Sequence, residues 1–175
     1  MKDNHKKVLF ITQAAVIAAV YVVLTVFINA FNLASGAIQI RISEALTILP
    51  VFTPAAIPGL FIGCLIANTV TGAVIWDIIF GSLATLIGAI GTRLLRKVPY
   101  LAVLPPILSN TIIVPLVLRF AYKLPDAIWY IAITVCVGEI ISCGVLGLIL
   151  YFAFKKRKDI FSAGENENIK KTEQA

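Results

Sequence analysis

Long stretches without a charged residue are the feature that most constrains the fold of this chain. Six such stretches span residues 8–40, 45–76, 78–92, 98–118, 127–138 and 140–154. A helix needs about 20 apolar residues to cross the ~30 Å hydrocarbon layer of a membrane. Only 14% of the 175 residues are charged and 59% are hydrophobic, whereas soluble domains have about 25% and 45–50%. The sequence therefore predicts a helical integral membrane protein.

The basic residues predict how often the chain crosses the membrane. Twelve of the 15 Lys and Arg residues fall in three clusters: around Lys7, around Arg96 and after Phe154. The positive-inside rule places such clusters in the cytoplasm, which requires the block 45–76 to cross twice. Prolines and glycines at 50–59 mark the break. We predict an all-α membrane bundle of six transmembrane segments with both termini cytoplasmic.

The second of these segments is predicted to be short or broken. It lies near 43–53, and about 11 α-helical residues cover only ~16 Å. Interrupted segments of this kind survive where protein or a polar cavity surrounds them, and they indicate binding sites in transporters. Other helices are predicted near 8–30, 77–93, 100–121 and 127–154. The resulting organisation is a cytoplasmic N-terminus (1–7), a transmembrane substrate-binding domain (8–155) and a cytoplasmic, disordered tail (156–175).

Motifs for ATP hydrolysis, metal chemistry and nucleophilic catalysis do not occur in the sequence. It contains no G-x-x-x-x-G-K-[ST], no H-E-x-x-H and no G-x-S-x-G. The single histidine, His5, lies in the N-terminal charge cluster, and the three cysteines lie in apolar stretches, which predicts packing rather than disulfides or zinc. We therefore predict a protein that is not an enzyme and that binds no metal, cofactor or nucleic acid.

Seven side chains in the outer half of the predicted membrane region are candidates for substrate binding. Ionisable groups in lipid are costly and are functional candidates by default. Arg41 and Glu44 lie at the outer start of segment 2, and Trp76 and Asp77 lie in the turn between segments 3 and 4. Asn68 lies two turns below that turn, and Asn110 and Glu139 lie in the middles of segments 5 and 6.

Structural alternatives exist for most of these residues. Glu44 has the alternative of a first-turn carboxylate or of an ion pair with Arg41. Asp77 has the same first-turn alternative, Trp76 fits an interfacial aromatic belt, and the two asparagines fit interhelical hydrogen bonds. Glu139, in mid-helix between apolar neighbours, has the weakest structural alternative and is the strongest candidate.

Helix 1 carries two overlapping pairs of small residues, Ala14-x-x-x-Ala18 and Ala15-x-x-x-Ala19. Small residues at this spacing let another helix approach closely. The pairs therefore predict either a face that docks a partner helix or internal packing. The pair Gly59-x-x-x-Gly63 in segment 3 favours internal packing.

The run IQIRISEALTILP at 38–50, followed by PAAIPG at 54–59 and GCLIAN at 63–68, resembles the QueT family, which is assigned to the uptake of queuosine precursors. Six predicted helices, the alanine pairs and the missing ATPase motif add to this likeness. The chain as a whole is similar to the substrate-binding S component of an energy-coupling factor (ECF) transporter. The likeness covers about 8–155. It implies a cell-membrane protein that docks through helix 1 onto a transmembrane coupling subunit, which two ATPase subunits drive.

The resemblance also implies a substrate class. Queuosine precursors are 7-deazaguanines, and one form carries an aminomethyl cation. A carboxylate accepts two N–H bonds from a guanine edge, a second carboxylate pairs with the amine, and aromatic faces suit a flat base. Two alternatives stay open. One is an S component for another vitamin, such as a flavin, biotin or thiamine. The other is a stand-alone secondary transporter, which requires inverted repeats or a continuous polar pathway.

Overall fold

The computed structural model describes residues 2–30, 41–123 and 125–157, and all regular secondary structure in these ranges is helical. Most of the predicted loop after helix 1 and nearly all of the predicted tail lie outside the described residues. The elements are α1 (Lys2–Ala30), a 3-10 helix (Ile42–Val51), α2 (Ala56–Val70), α3 (Ile75–Leu94), α4 (Pro99–Ala102), α5 (Leu104–Phe120), α6 (Ile128–Glu139), a π-helix (Ile140–Leu146) and α7 (Gly147–Lys155).

Within the described ranges, four helical spans are long and apolar enough to cross a membrane: Asn4–Ala30, Ile75–Leu94, Pro99–Phe120 and Ile128–Lys155. The 3-10 helix and α2 are shorter apolar helices of 10 and 15 residues. The prediction of an all-α membrane bundle is confirmed, while the number of crossings and the side of the termini stay predictions.

The predicted boundaries change in three places. Helix α1 begins at Lys2 rather than near residue 8, so the first basic residues continue the helix. The predicted helix 100–121 is divided at Val103 into α4 and α5. Helix α2 ends at Val70, and a turn follows in which Gly72 has a φ of 75°, a conformation that glycine adopts at little cost.

The 3-10 helix is the predicted short second segment, and it lies at the centre of the bundle. Its residues 43–50 are all buried, and it packs against α1, α2, α3, the π-helix and α7. Runs of 3-10 helix longer than 3–4 residues are uncommon, and 10 residues at a rise of ~2.0 Å cover about 20 Å. That length is below the ~30 Å of a full span. The surrounding helices therefore provide the protein environment that a short membrane segment requires.

One end of the bundle brings together α1, α3 and α7. Phe52, just after the 3-10 helix, packs against the last turn of α7, and the hydroxyl of Thr53 donates to Gln13 in the first half of α1 at 2.8 Å. The guanidinium of Arg93, at the end of α3, donates to the carbonyl of Pro50 at 2.9 Å. We call this the basic end, because the basic residues of α1, α3 and α7 gather toward it.

The opposite end, which we call the cavity end, joins the end of α1 to the start of the 3-10 helix. The hydroxyl of Thr25 donates to that of Ser43 at 2.8 Å. The end of α2 meets the start of α3 there, because the Asn68 amide donates to the carbonyl of Asp77 at 3.3 Å. The chain therefore reverses direction from each of these elements to the next.

Helices α1 and α2 run parallel and very close together. A Cβ atom on Gly59 would lie 2.7 Å from the carbonyl oxygen of Ala14, and one on Gly63 would lie 3.0 Å from that of Ala18. The glycine pair thus packs internally, as predicted, and its partner is the Ala14-x-x-x-Ala18 pair. Ala15, on the neighbouring face of α1, is exposed.

The last span contains a seven-residue π-helix between α6 and α7. Such helices are rare, usually form single turns and often occur at functional sites. This one begins immediately after Glu139, and its buried residues are Ser142 and Cys143. The irregular turn therefore faces the bundle interior next to the strongest candidate residue.

Candidate functional site

A cavity of about 440 Å³ opens among the ends of α1, α2 and α5 and the starts of the 3-10 helix and α3. Its volume falls within the roughly 300–1,000 Å³ range of small-molecule sites. One part of its wall is aliphatic, and its members are Ile28, Val114 and Leu118. The rest is mainly polar, with Thr25, Asn29, Arg41, Ser43, Asn68, Thr71, Asp77 and Tyr122.

A chain of hydrogen bonds crosses the polar wall. The guanidinium of Arg41 donates to Asn68 Oδ1 at 3.0 Å, and the hydroxyl of Tyr122 donates to Asp77 Oδ2 at 3.1 Å. Gly81 makes room for this arrangement, since a Cβ there would lie 3.0 Å from Asp77 Oδ1 and 3.2 Å from Asn68 Nδ2. A cation, an amide and a carboxylate thus present fixed polar atoms to the cavity.

Tyr122 connects this series of hydrogen bonds to the residues just before α3. Its hydroxyl accepts from the backbone N–H of Val74 at 3.3 Å while it donates to Asp77. Burial, together with the neighbouring Asp77 carboxylate, raises the pKa of the Tyr122 phenol. The phenol therefore stays protonated at neutral pH and keeps its hydrogen for Asp77.

Glu44 lies below the cavity wall and is completely buried. Its Oε1 accepts a hydrogen bond from the hydroxyl of Tyr21 on α1, whereas its Oε2 is buried and has no hydrogen-bond partner among the residues that the structure describes. Arg41, the N-cap of the 3-10 helix, accepts the N–H of Glu44 with its backbone carbonyl at 2.9 Å, so its side chain starts close enough to pair with Glu44. The structure instead directs Arg41 to Asn68 and Glu44 to Tyr21.

Glu139 comes from the other side of the bundle to meet Glu44. The thiol of Cys143, one turn further along, donates to Glu139 Oε2 at 3.1 Å. Glu44, Glu139 and Cys143 each place one polar atom within 4.8 Å of the others, and all three residues are buried. Asn110 is also buried, and its Nδ2 has no hydrogen-bond partner. We call Glu44, Asn110, Glu139 and Cys143 the buried polar layer.

The layer lies deeper than the cavity. Val114 lines the cavity, and Asn110 precedes it by one turn on α5, which runs toward the cavity end. Two carboxylates this close, away from water, carry two charges only if a cation or hydrogen-bond donors compensate them. The layer is therefore suited to a group that brings N–H donors or positive charge.

Within the described parts of the chain, Glu44, Glu139 and Cys143 are the residues that could hold a metal ion. The thiol donates its hydrogen to Glu139, whereas a cysteine that binds a metal must lose its proton. The hydrogen bonds as they are formed therefore favour a ligand with hydrogen-bond donors over a metal ion.

The structure brings together six of the seven candidate residues. Arg41, Asn68 and Asp77 line the cavity, and Glu44, Asn110 and Glu139 form the layer beneath it. One sequence-based placement was wrong: Asn68 lies in the last turn of α2 beside Asp77 and not two turns below the connection between the two helices. Asp77 lies in the first turn of α3, which agrees with its first-turn alternative, and Trp76 lies in the same turn.

Trp76 does not reach the cavity. It is 56% exposed and stacks on Phe80, with ring centroids 6.0 Å apart. Both rings line a separate apolar groove of about 580 Å³ between α3 and α5. This position agrees with the aromatic-belt alternative and does not support ligand stacking.

Two tyrosines and a cysteine contact the site residues without having been predicted. Tyr21 carried a signal, because a tyrosine in the middle of an apolar helix needs a partner for its hydroxyl. Cys143 follows Glu139 at the i+4 spacing that places both on one helix face. Tyr122 follows α5 directly, and nothing in the sequence around it indicated a contact with Asp77.

Comparisons with known proteins agree with one another on the family. The family model described as QueT transporter matches residues 11–156. The queuosine precursor transporter QueT of Lactococcus lactis subsp. cremoris (strain MG1363) is 36% identical over 77 residues. That alignment covers 44% of this chain and 45% of the relative, so it spans less than half of either protein. No solved structure matches.

Proposed function

Because this chain belongs to the QueT transporter family, we propose that it is the substrate-binding subunit for uptake of a queuosine precursor of the 7-deazaguanine type. It is a multi-pass protein of the cell membrane and a transporter rather than an enzyme. The name of the Lactococcus relative supports the substrate class.

The observation that carries the proposal is the unpartnered Oε2 of Glu44 beneath the cavity. A buried acceptor without a partner costs about 1–3 kcal/mol, so a ligand that donates to it gains that free energy on binding. The N1–H and exocyclic amino group of a 7-deazaguanine provide two parallel donors of the kind that carboxylates accept. Glu139, within 4.8 Å, is a second acceptor for an amino group or a cation.

The cavity above the layer supports the same assignment. Its aliphatic wall, with Ile28, Val114 and Leu118, offers a surface for the face of a flat base. Asp77 and Asn68 on the polar wall offer an acceptor and an amide to the substituent of the base. We assign the substituent to this wall and the guanine edge to the buried polar layer.

We further propose six crossings with the cavity end outside the cell. The basic residues of α1, α3 and α7 gather at the opposite end, and the positive-inside rule assigns that end to the cytoplasm. Both termini then lie in the cytoplasm, and the cavity collects substrate from outside.

Energy for uptake is proposed to come from separate ECF coupling and ATPase subunits. The chain carries no G-x-x-x-x-G-K-[ST] motif. Ala15 and Ala19 lie on an exposed face of α1, whereas Ala18 is buried against α2. We therefore propose the Ala15-x-x-x-Ala19 face, rather than the Ala14-x-x-x-Ala18 face, as the surface that docks the coupling subunit.

The test is ligand binding by the purified protein, measured by isothermal titration calorimetry. The panel contains an aminomethyl 7-deazaguanine, a neutral 7-substituted deazaguanine, guanine, riboflavin, biotin and thiamine. Saturable binding of deazaguanines, with the vitamins inactive, is the expected result. Binding of a vitamin instead would support the alternative S component. Uptake into liposomes that contain this chain alone would favour a stand-alone secondary transporter.

A further inference from the structure

Tyr21 sits at the meeting point of α1, α2 and the 3-10 helix and is completely buried. A Cβ on Gly63 would lie 2.9 Å from Tyr21 Cβ, so this glycine gives the tyrosine its room. From this position, the Tyr21 hydroxyl reaches across to Glu44 Oε1. The contact joins helix α1 to the deepest carboxylate of the site.

The hydroxyl decides which partner Glu44 takes. Arg41 is the N-cap of the 3-10 helix, and its carbonyl accepts a hydrogen bond from the Glu44 N–H at 2.9 Å, so the two residues are close neighbours. A carboxylate beside a guanidinium forms a bidentate pair when nothing opposes it. Tyr21 holds one side of Glu44, and Asn68 holds the Arg41 guanidinium. The cation and the carboxylate thus each have a hydrogen-bond partner other than one another.

The consequence concerns the second carboxylate oxygen. With Oε1 bound to Tyr21, Oε2 is left buried and without a partner. We infer that Tyr21 is a positioning residue that fixes the Glu44 carboxylate, so that Oε2 is kept for the N–H donors of the ligand. The inference rests on the proposed function, since it requires a ligand that Glu44 binds. It assigns to α1 a role in substrate affinity besides its proposed role in docking.

The primary test is Tyr21→Phe, which removes the hydroxyl and keeps the buried ring. We expect deazaguanine binding about 10-fold weaker in Tyr21→Phe, because Glu44 loses the hydrogen bond that orients its carboxylate. The variant should also unfold at a lower temperature than the control, because Glu44 Oε1 then lacks this donor, so affinity is measured at a temperature at which each variant is folded. The control is Thr85→Val, which removes another buried hydroxyl, one that contacts the Gly81 carbonyl and the Cys64 thiol instead of the carboxylates. We expect wild-type affinity in the control.

A double-mutant cycle with Glu44→Gln separates positioning from general packing. If Tyr21 acts through Glu44, adding Tyr21→Phe to Glu44→Gln causes little further loss of affinity. Equal losses in both backgrounds would overturn the inference. Gly63→Ala is a second variant, because it keeps the hydroxyl but displaces the ring, and it should weaken binding in the same direction. Unchanged affinity in Tyr21→Phe refutes the role of Tyr21 alone, whereas a wild-type protein that binds no deazaguanine refutes the proposed function.

Discussion

Glu139→Gln tests the buried polar layer most directly, because a ligand-binding carboxylate and a structural one give opposite results. The glutamine amide keeps the shape of the side chain, and its carbonyl still accepts from the Cys143 thiol, which lies 3.1 Å from Oε2. The amide also brings an NH₂ group within reach of the unpartnered Oε2 of Glu44. The variant therefore removes a charge and supplies a donor.

The variant should weaken ligand binding but should not destabilise the unliganded protein. Losing one charge-assisted hydrogen bond to the ligand costs about 1.5–3 kcal/mol, which corresponds to roughly 10- to 150-fold weaker binding. In the unliganded protein, two charged carboxylates within 4.8 Å of each other would repel by about 3 kcal/mol or more at an effective dielectric constant of about 20. The free energy of unfolding should therefore stay unchanged or rise when one of the two becomes an amide. Glu44→Gln should weaken binding by about 10-fold or more for the same reason.

Both quantities are measurable on one preparation, with titration calorimetry for affinity and thermal unfolding in detergent for stability. Asp126→Asn makes the same change of a carboxylate to an amide at an exposed position and should alter neither. Full-strength binding in both glutamine variants would refute the layer as the ligand site and leave the cavity residues Asn68 and Asp77. Lower stability of Glu139→Gln with unchanged affinity would show that Glu139 is structural.

Three further predictions follow from the helix faces and the ends of the bundle. Ala15→Leu should abolish uptake and co-purification with coupling subunits while ligand binding stays intact. Ala18→Leu should instead lower thermal stability, because the larger side chain clashes with α2. Uptake by the Ala15→Leu variant would exclude this face as the docking surface. In a cysteine-free background, a cysteine at Lys123 should react with an impermeant thiol reagent from outside and one at Arg96 should not; the reverse pattern would contradict the orientation. Gly81→Ala should weaken binding about several-fold, since a Cβ there lies 3.0 Å from the neighbouring carboxylate and moves it; unchanged affinity would remove the polar wall from the site.

The helical class, the break in block 45–76 and most of the site followed from the sequence, because lipid imposes simple rules. Charges are too costly to place at random in a membrane, so the sequence alone made Glu44 and Glu139 candidates. Prolines at 50–58 marked the interruption because proline removes a donor and clashes within a helix. The backbone geometry of the short second segment could not be predicted from the sequence. Nothing in the residues distinguishes a 3-10 helix from a short α-helix, since the choice depends on the helices that surround it.

Side-chain direction was the other limit. The sequence does not distinguish the two alanine pairs on α1. Only the contacts of Gly59 and Gly63 in the structure show that Ala18 faces α2. Trp76 was placed with Asp77 because they are adjacent in the chain, but neighbours on a helix point about 100° apart. Asp77 therefore reaches the cavity, and Trp76 faces outward.

The π-helix has a consequence for how this span tolerates insertions and deletions. A π-turn holds one residue more than the α-turn it replaces, so removing one residue from Ile140–Leu146 would allow an uninterrupted α-helix. The residues before and after the deletion would then keep their rotational relation, because the turn itself absorbs the missing residue, whereas the same deletion in a regular α-helix would turn everything after it by about 100°. Glu139 would stay in the layer and α7 would stay against Phe52, and only the residues of the turn itself, Ser142 and Cys143 among them, would change position. This span should therefore tolerate the loss of one residue within Ile140–Leu146 better than the loss of one residue in α6 or α7.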